Sequence, residues 1–358
     1  MSAKQRVMIR EATFEDCKDA INEAFDLFPL PLKGKRVAIK PNLVHRRTPD
    51  KQVTTHPAVL RAVVERVEKE GAAAIWVGDN VGLNEYGFNR NTFDVCDLYD
   101  ASLGHYVNFG VHGEARPWPM APGKVIVSPH IMQADVYISV PKFKTHGLTL
   151  ISCGIKNNFG VVTGGCKGVL HQGAGDIGPI QDMIVNSFFL RPPDLCIVDG
   201  IVGMSGQGPL KGILRPDVKS ILASDNALAL DATVARMMGM DPYAVPIIKK
   251  VAERGYGSIE EKDIEIDGAF RVLPDWEPAV MISHGYNAIP EARIWMDEQL
   301  ARRPVVNKNM CMGCGVCSFA CPLDCLPMRD GFPVVDAEAC MHCNVCEEIC
   351  PHRAISFA

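Results

Sequence analysis

The chain has 358 residues, enough for at least two domains, and its apolar and charged fractions are ordinary for a globular protein. Its net charge of −5 at pH 7 argues against a general binder of nucleic acid or anionic membranes, so we expect neither partner. No stretch approaches about 18 uninterrupted apolar residues, and the N-terminus lacks the apolar core of a secretion signal. We therefore expect no membrane span and a cytoplasmic location.

Short buried strands alternate with amphipathic helices over the first 300 residues. Strands are predicted at 6–10, 36–42, 73–79, 124–127, 135–140, 195–199 and 219–223. Helices are predicted at 13–27 with Thr13 as N-cap, at 56–69 opened by His56 and Pro57, and from the cap Asp225 to Met238. This alternation predicts an α/β fold with a mostly parallel sheet and flanking helices.

The predicted domains are an α/β body at residues 1–300, in one or two lobes, and a small C-terminal α+β module at residues 301–358. A helix predicted near 291–302 joins them. A segment below about 60 residues buries little core, so the module should depend on bound metal to stay folded.

Polar side chains follow several predicted strands of the body. They are Lys40, Asn42, Asp79, Asn80, Lys142, Lys144, His146 and Asp199. In open α/β sheets, ligands bind beyond the carboxyl ends of strands, so these side chains are candidates for one cleft. Each alone is equally explained as part of a solvated turn or as a helix cap.

The stretch from Pro141 to His171 has no acidic residue and many glycines. Its basic residues are Lys142, Lys144, His146, Lys156, Lys167 and His171. Lysines, together with backbone N–H groups left approachable by glycine, suit an anionic group such as a phosphate or carboxylate.

Other interpretations of this region stay open. Cys153 and Cys166 with nearby histidines could form a further metal site or act as thiolates, or they could simply be buried. The segment 173–178 fits G-x-G-x-x-G, but no strand clearly precedes it, which argues against dinucleotide binding. A second glycine-rich loop at 203–209 follows the Asp199 strand.

The C-terminal residues contain the run C-x-x-C-x-x-C-x-x-x-C-P twice, beginning at Cys311 and at Cys340. This is the bacterial ferredoxin signature, in which the fourth cysteine of each run ligates the other cluster. We predict two [4Fe–4S] clusters. The first would be held by Cys311, Cys314, Cys317 and Cys350, and the second by Cys340, Cys343, Cys346 and Cys321.

Neither zinc nor a disulfide framework requires this duplicated spacing. Gly313 and Gly315 allow the tight ligand loop of the first run. Cys325 is left over and is interpreted as a small buried hydrophobe. Clusters of this type are commonly sensitive to oxygen, so an anaerobic host is expected.

Taken together, these motifs resemble the domain-of-unknown-function family three-sixty-two. The matching segments are 141–146, 154–160, 197–203, 206–209 and 225–231. Some members of that family carry a C-terminal two-cluster ferredoxin module. The resemblance implies an iron–sulfur protein without implying a reaction. As site candidates, it marks Lys142, Lys144, His146, Lys156, Asn157 and Asp199.

The leading hypothesis is an oxidoreductase that passes low-potential electrons from the clusters to an anionic small molecule in the body. Its proposed catalytic residues are Lys142, Lys144, His146, Lys156 and Asp199, with His146 as a proton source. The alternatives are a non-catalytic electron carrier that docks a redox partner, and a metal- or cluster-handling factor. The oxidoreductase and the carrier both imply a protein partner that donates or accepts electrons.

Overall fold

The computed structural model describes residues 4–82, 88–174, 176–282, 301–321, 323–340 and 342–358, together with Ile294 and Glu298. The joining helix predicted at 291–302 therefore lies almost entirely outside the described residues. No helix among the described residues combines the length and apolarity needed to span a bilayer.

Twelve strands occur between residues 5 and 268 of the described chain. They are β1 (Gln5–Glu11), β2 (Arg36–Pro41), β3 (Ala74–Val77), β4 (Glu114–Pro117), β5 (Lys124–Val127), β6 (Val136–Val140), β7 (Lys142–His146), β8 (Leu150–Ser152), β9 (Leu195–Ser205), β10 (Ile213–Arg215), β11 (Ser220–Ser224) and β12 (Ile264–Gly268). All but β4 and β5, which pair with each other, belong to one sheet.

The central part of that sheet is parallel. Strands β3, β2, β6 and β9 run side by side in the same direction, and β7 pairs with β9 in parallel as well. Next to this parallel part, β8 pairs antiparallel with β7, and β10 and β11 pair antiparallel with β9. Strand β1 is antiparallel to β11 and parallel to β12. The predicted α/β fold with a mostly parallel central sheet is confirmed.

Helices cover both faces of the sheet. They are α1 (Cys17–Leu27), α2 (Pro57–Lys69), α3 (Asn89–Val95), α4 (Leu98–Ala101), α5 (Pro129–Gln133), α6 (Gly154–Asn157), α7 (Gly164–Ala174), α8 (Ile177–Leu190), α9 (Ala227–Met237) and α10 (Pro246–Glu253). Side chains alternate between two cores along each strand. In β2, Val37 and Ile39 face the core of α1 and α2, whereas Ala38 faces that of α8 and α9.

Two helix starts differ from the prediction. Helix α1 begins at Cys17, because Thr13 donates its backbone N–H to Asp16 and does not cap the helix. Helix α9 is capped by Asn226, whose Oδ1 accepts from the N–H groups of Leu228 and Ala229, where Asp225 was expected.

The C-terminal residues form a smaller α+β unit. It contains β13 (Pro304–Val306), α11 (Val316–Ala320), β14 (Met328–Arg329), β15 (Phe332–Pro333), α12 (Val345–Ile349) and β16 (Ile355–Phe357). Strand β13 pairs with β16 and β14 with β15, both antiparallel. The boundary at residue 301 stays a prediction.

Candidate functional site

A cavity of about 320 Å³ lies at the carboxyl ends of β2 and β3, beside the turn that follows β7. Its polar and charged lining residues are Lys40, Asn42, Asp79, Asn80, His146, Lys156, Asn157, Lys167, His171, Gln207 and Lys211. This is the edge of an open α/β sheet at which ligands bind in such folds.

A buried ion pair forms the floor of the cavity. Lys40 Nζ lies 2.8 Å from Asp79 Oδ1 and also donates to Asn157 Oδ1 at 3.1 Å. The second oxygen of Asp79 accepts from the N–H of Leu43 at 2.9 Å. Gly160 packs so closely that a Cβ there would lie 2.2 Å from Asp79 Oδ1. These partners hold both charges in place and offset part of their desolvation.

Among the cavity lysines that folding desolvates, Lys156 is the one most available to a ligand. It lies on α6, whose first two N–H groups, from Gly154 and Ile155, donate to the Asp231 carboxylate at 2.8 and 3.0 Å. Among the described residues, Lys156 Nζ has no hydrogen-bond or ion-pair partner. Burial, followed by repulsion from Lys40, lowers the pKa of Lys156 to about 8.

Lys167 projects from α7 into the same cavity and donates to the carbonyl of Asn80. Burial lowers the pKa of Lys167 to about 7, although Asp79 opposes the shift. Asp79 is the one carboxylate among the described lining residues, against Lys40, Lys156, Lys167 and Lys211. The cavity therefore has a positive excess that a bound anion would neutralise.

Two neutral imidazoles complete the polar wall. His146 Nδ1 accepts the N–H of Leu148 at 3.1 Å, so the ring proton is on Nε2. Burial, reinforced by Lys156 and Lys144, holds the pKa of His146 well below its usual value. Burial, reinforced by Lys156 and Lys167, lowers the pKa of His171 to about 3. His146 is therefore suited to donate a hydrogen bond, and less suited to the acid role expected from sequence.

Apolar side chains form the rest of the cavity wall. They are Leu43, Val44, Leu148, Phe159, Ile184, Pro209, Leu210 and Ile282. The glycine-rich loop at 203–209 thus contributes Gln207, Gly208 and Pro209 to the cavity. Clustered cations beside an apolar wall suit an organic anion with an apolar body.

The other three predicted catalytic residues do not line this cavity. Lys142 and Asp199 are fully buried and pair with each other at 2.8 Å, and Asp199 also accepts the N–H of His56. Lys144 donates to Asn42 Oδ1 at 2.7 Å. Of the five, His146 and Lys156 face the cavity, while Lys142, Lys144 and Asp199 support the strands and loops around it.

Within the part of the body that the structure describes, the cysteines do not form a metal site. Cys153 is fully buried beside Asp231, and burial raises the pKa of its thiol well above the usual value. In the described residues, no three His, Cys, Asp or Glu side chains converge on a single-ion position.

The ferredoxin cysteines form two separate groups. One gap is lined by Cys311, Cys314, Cys317 and Cys350, and the other by Cys321, Cys340, Cys343 and Cys346. Each group combines three cysteines of one run with the last cysteine of the other, as the crossed signature requires. Gly315 at φ +73° and Asn344 at φ +58° occupy the same left-handed position before α11 and α12. Four thiolates around each gap fit a [4Fe–4S] cluster.

Cys325 is buried, and its Sγ lies 3.3 Å from that of Cys321. It also lines the gap of the second group. The expected burial is present, but no sequence motif indicated that the thiol would lie beside a cluster ligand.

Comparison with known proteins first identifies the class of protein to which the chain belongs. The model of a 4Fe-4S binding domain matches residues 304–326 and 333–356, so the chain is an iron–sulfur electron-transfer protein with two [4Fe–4S] clusters. The model described as Domain of unknown function (DUF362) matches residues 37–236, more than half of the chain, and the protein belongs to that family.

A thylakoid-associated protein of Synechocystis sp. is 30% identical over 217 residues, which cover 60% of this chain and 66% of that protein. Two solved structures are similar over part of the fold. The lactate racemase apoprotein of Thermoanaerobacterium thermosaccharolyticum has a TM-score of 0.41 and 13% identity, covering 67% of this chain and 58% of its own. A Thermotoga maritima protein has a TM-score of 0.36 and 13% identity, covering 68% and 60%. The chain thus spans less than two thirds of each of these proteins.

Proposed function

We propose that the protein is an oxidoreductase that passes electrons from its two clusters to an organic anion bound in the body cavity. The observation that carries this proposal is Lys156, which has no hydrogen-bond or ion-pair partner among the described residues and faces a cavity with a net positive wall. When bound, the clusters supply electrons one at a time.

In this proposal the residues of the body bind and orient the ligand. Lys156 and Lys167 neutralise its anionic group and the negative charge that grows as electrons arrive. His146 directs an Nε2–H donor toward the cavity. Proton transfer falls to Lys156 or Lys167, because the pKa values of about 8 and about 7 lie close to neutral pH.

The alternatives have less support. A docking surface for an acidic partner needs exposed cations, yet Lys40, Lys142, Lys144 and Lys167 are each at most 4% exposed. A metal-handling role lacks a three-ligand site in the described body residues. A cytoplasmic location and an anaerobic host stay predictions.

The test follows reoxidation of the reduced clusters by visible absorbance under anaerobic conditions. Reduced protein is mixed with anion-exchange fractions of small cellular metabolites. Wild type and the control Lys249→Ala, an exposed lysine on α10, should be reoxidised by one fraction, whereas Lys156→Ala should react at least about 100-fold more slowly with both clusters intact. Equal rates in all three proteins would contradict the proposal.

A further inference from the structure

One carboxylate of the ferredoxin module is hydrogen-bonded to the body. Glu348 lies on α12 between the ligands Cys346 and Cys350. Its carboxylate accepts the N–H groups of Asn89 and Arg90 at the start of α3, and Asn108 Nδ2 donates to it at 2.9 Å. Glu348 is thus the polar centre of the contact between the two parts of the chain.

An apolar contact surrounds this carboxylate. Val111 of the body packs against Ala320 and Val345 of the module, all at most 6% exposed. The N–H of His112 donates to the carbonyl of Ala320 at 3.3 Å, and the rings of His112 and Phe319 stand edge to face at 4.3 Å. Buried apolar contacts and hydrogen bonds together define one docked arrangement.

This contact lies beside the second group of cysteines. Cys343 packs against the apolar contact, Cys321 follows Ala320 directly, and Cys346 follows Val345. The first group instead reaches the surface, where Cys314 is exposed and the neighbouring Met312 is 72% exposed. A cluster held by the second group would therefore face the body, and one held by the first group would face the solvent.

A hydrogen-bonded chain of asparagines continues from Glu348 to the cavity. Asn108 Oδ1 accepts from Asn89 Nδ2 at 2.7 Å, and Asn89 Nδ2 reaches Asn80 Oδ1 at 3.4 Å. Asn80 lines the cavity, donates to the carbonyl of Gly160 at 2.9 Å and accepts from Lys167. The body contact and the cavity wall are thus one connected network.

We propose that Glu348 is a positioning residue that docks the second cluster on the body. The second cluster then delivers electrons to the cavity, and the first cluster accepts them from the external partner. The electron-delivery part of this inference rests on the proposed function. A one-electron carrier protein docked at the exposed side loses one electron to the first cluster. That electron then passes to the second, so the first returns to its oxidised state.

Glu347→Gln is the matched control, because it removes the same charge one residue away, and no described residue forms a hydrogen bond or ion pair with the side chain of Glu347. In the intact two-cluster protein, Glu348→Gln should speed hydrogen exchange at the amides of Asn89 and Arg90 about tenfold, since a charge-assisted acceptor is lost. Glu347→Gln should leave both amides at the wild-type rate.

A chelator provides a second readout. Iron should leave wild type in two phases, with the exposed first cluster faster. Glu348→Gln should accelerate the slow phase about tenfold and leave the fast phase unchanged. Asn108→Ala, which leaves α12 intact, should change the slow phase in the same direction by a smaller factor.

Unchanged exchange at Asn89 and Arg90, an equal effect of Glu347→Gln, or acceleration of the fast phase would each overturn the inference. None of these measurements involves the cavity ligand. Failure of reoxidation by metabolite anions, with the Glu348 effects intact, would count against the proposed function alone.

Discussion

The lysines in and around the cavity differ in how much binding free energy each can contribute to an anionic ligand. Lys40 and Lys142 already have carboxylate partners at 2.8 Å, so a ligand would have to compete with those pairs. Lys156 has no such partner among the described residues, and its ammonium was desolvated on folding. An anion at this position supplies the missing interaction, which makes Lys156 the residue whose removal should cost most binding.

Anion affinity should depend on pH through Lys156 and Lys167. Their pKa values of about 8 and about 7 are lowered by burial, and a bound anion raises them, so binding takes up protons. Sulfate affinity should be constant well below pH 7, and above the pKa of each lysine it should fall by up to about tenfold per pH unit for that lysine. Calorimetry with sulfate, whose charge is constant in this range, measures this.

Lys156→Arg is the control for that pH dependence. Arginine stays charged throughout, so the fall around pH 8 should disappear while the fall due to Lys167 remains. A wild-type affinity that does not change between pH 6 and pH 9 would contradict the assignment of these lysines.

Gly160→Ala should disrupt the floor of the cavity. The new Cβ would lie 2.2 Å from Asp79 Oδ1 and 2.3 Å from Lys40 Cε, so the buried ion pair must shift. We expect a loss of about 1–3 kcal/mol in the free energy of unfolding and loss of sulfate binding. The control, Gly178→Ala in α8, meets no atom within 4 Å and should be neutral or slightly stabilising in urea unfolding.

The roles of the individual site residues could be predicted from the sequence only in part. The lysines and histidine of β7 alternate along one strand, so Lys142, Lys144 and His146 share a face. Sequence cannot separate them, because their roles depend on distant partners: Asp199 for Lys142, and Asn42 for Lys144. Asp231, which holds α6, is 75 residues from Lys156 and carried no local signal as a site residue.

At the scale of elements, the basic, glycine-rich stretch from Pro141 to His171 forms regular secondary structure. Residues 142–174 contain β7, β8, α6 and α7 in succession, and the lysines of β7 are buried within the sheet. No strand or helix was predicted there, because a strand with lysines at alternate positions is rarely buried. The main strands and helices were predictable because their apolar periodicity was clear.

Helix α6 is short and depends on Asp231 for its position. Asp231→Ala removes the acceptor of two buried N–H groups, and we expect a loss of about 2–5 kcal/mol in the free energy of unfolding. Lys156 should then lose its orientation, so sulfate affinity should fall as well. Asp231→Asn, which keeps one acceptor oxygen, should have about half the effect on urea unfolding.

If Asp231→Ala lowered stability but left sulfate affinity at the wild-type value, the link between α6 and the ligand would be wrong. A variant at Asp241, which caps the short turn before α10, serves as a control for loss of a capping carboxylate elsewhere.

At the scale of the whole molecule, the duplicated cysteine run forms two groups that exchange their last ligand. The crossed arrangement was predictable from spacing alone, because the signature sets which cysteines surround each gap. The docking of the second group on the body was not predictable. It depends on Glu348, Asn89 and Asn108, which are separated by up to 259 residues in the chain.

Double substitutions should show that each cysteine run supplies its fourth ligand to the cluster of the other run. Cys321→Ser and Cys346→Ser should each remove the second cluster, so combining them should cost no more iron than either alone. Cys321→Ser combined with Cys317→Ser should remove both clusters, although these cysteines belong to the same run. Iron and sulfide analysis of anaerobically purified protein measures this, and the opposite pattern would show uncrossed ligation.

The most direct test of the account is whether an anion in the body cavity affects the second cluster. Reductive titrations followed by EPR, with and without saturating sulfate, give the midpoint potential of each cluster. We predict that sulfate lowers the potential of the cluster missing in Cys346→Ser more than that of the other, because nearby negative charge opposes reduction, and that Lys156→Ala abolishes this shift. If sulfate binds through Lys156 and neither potential changes, the cavity and the clusters do not form one redox site.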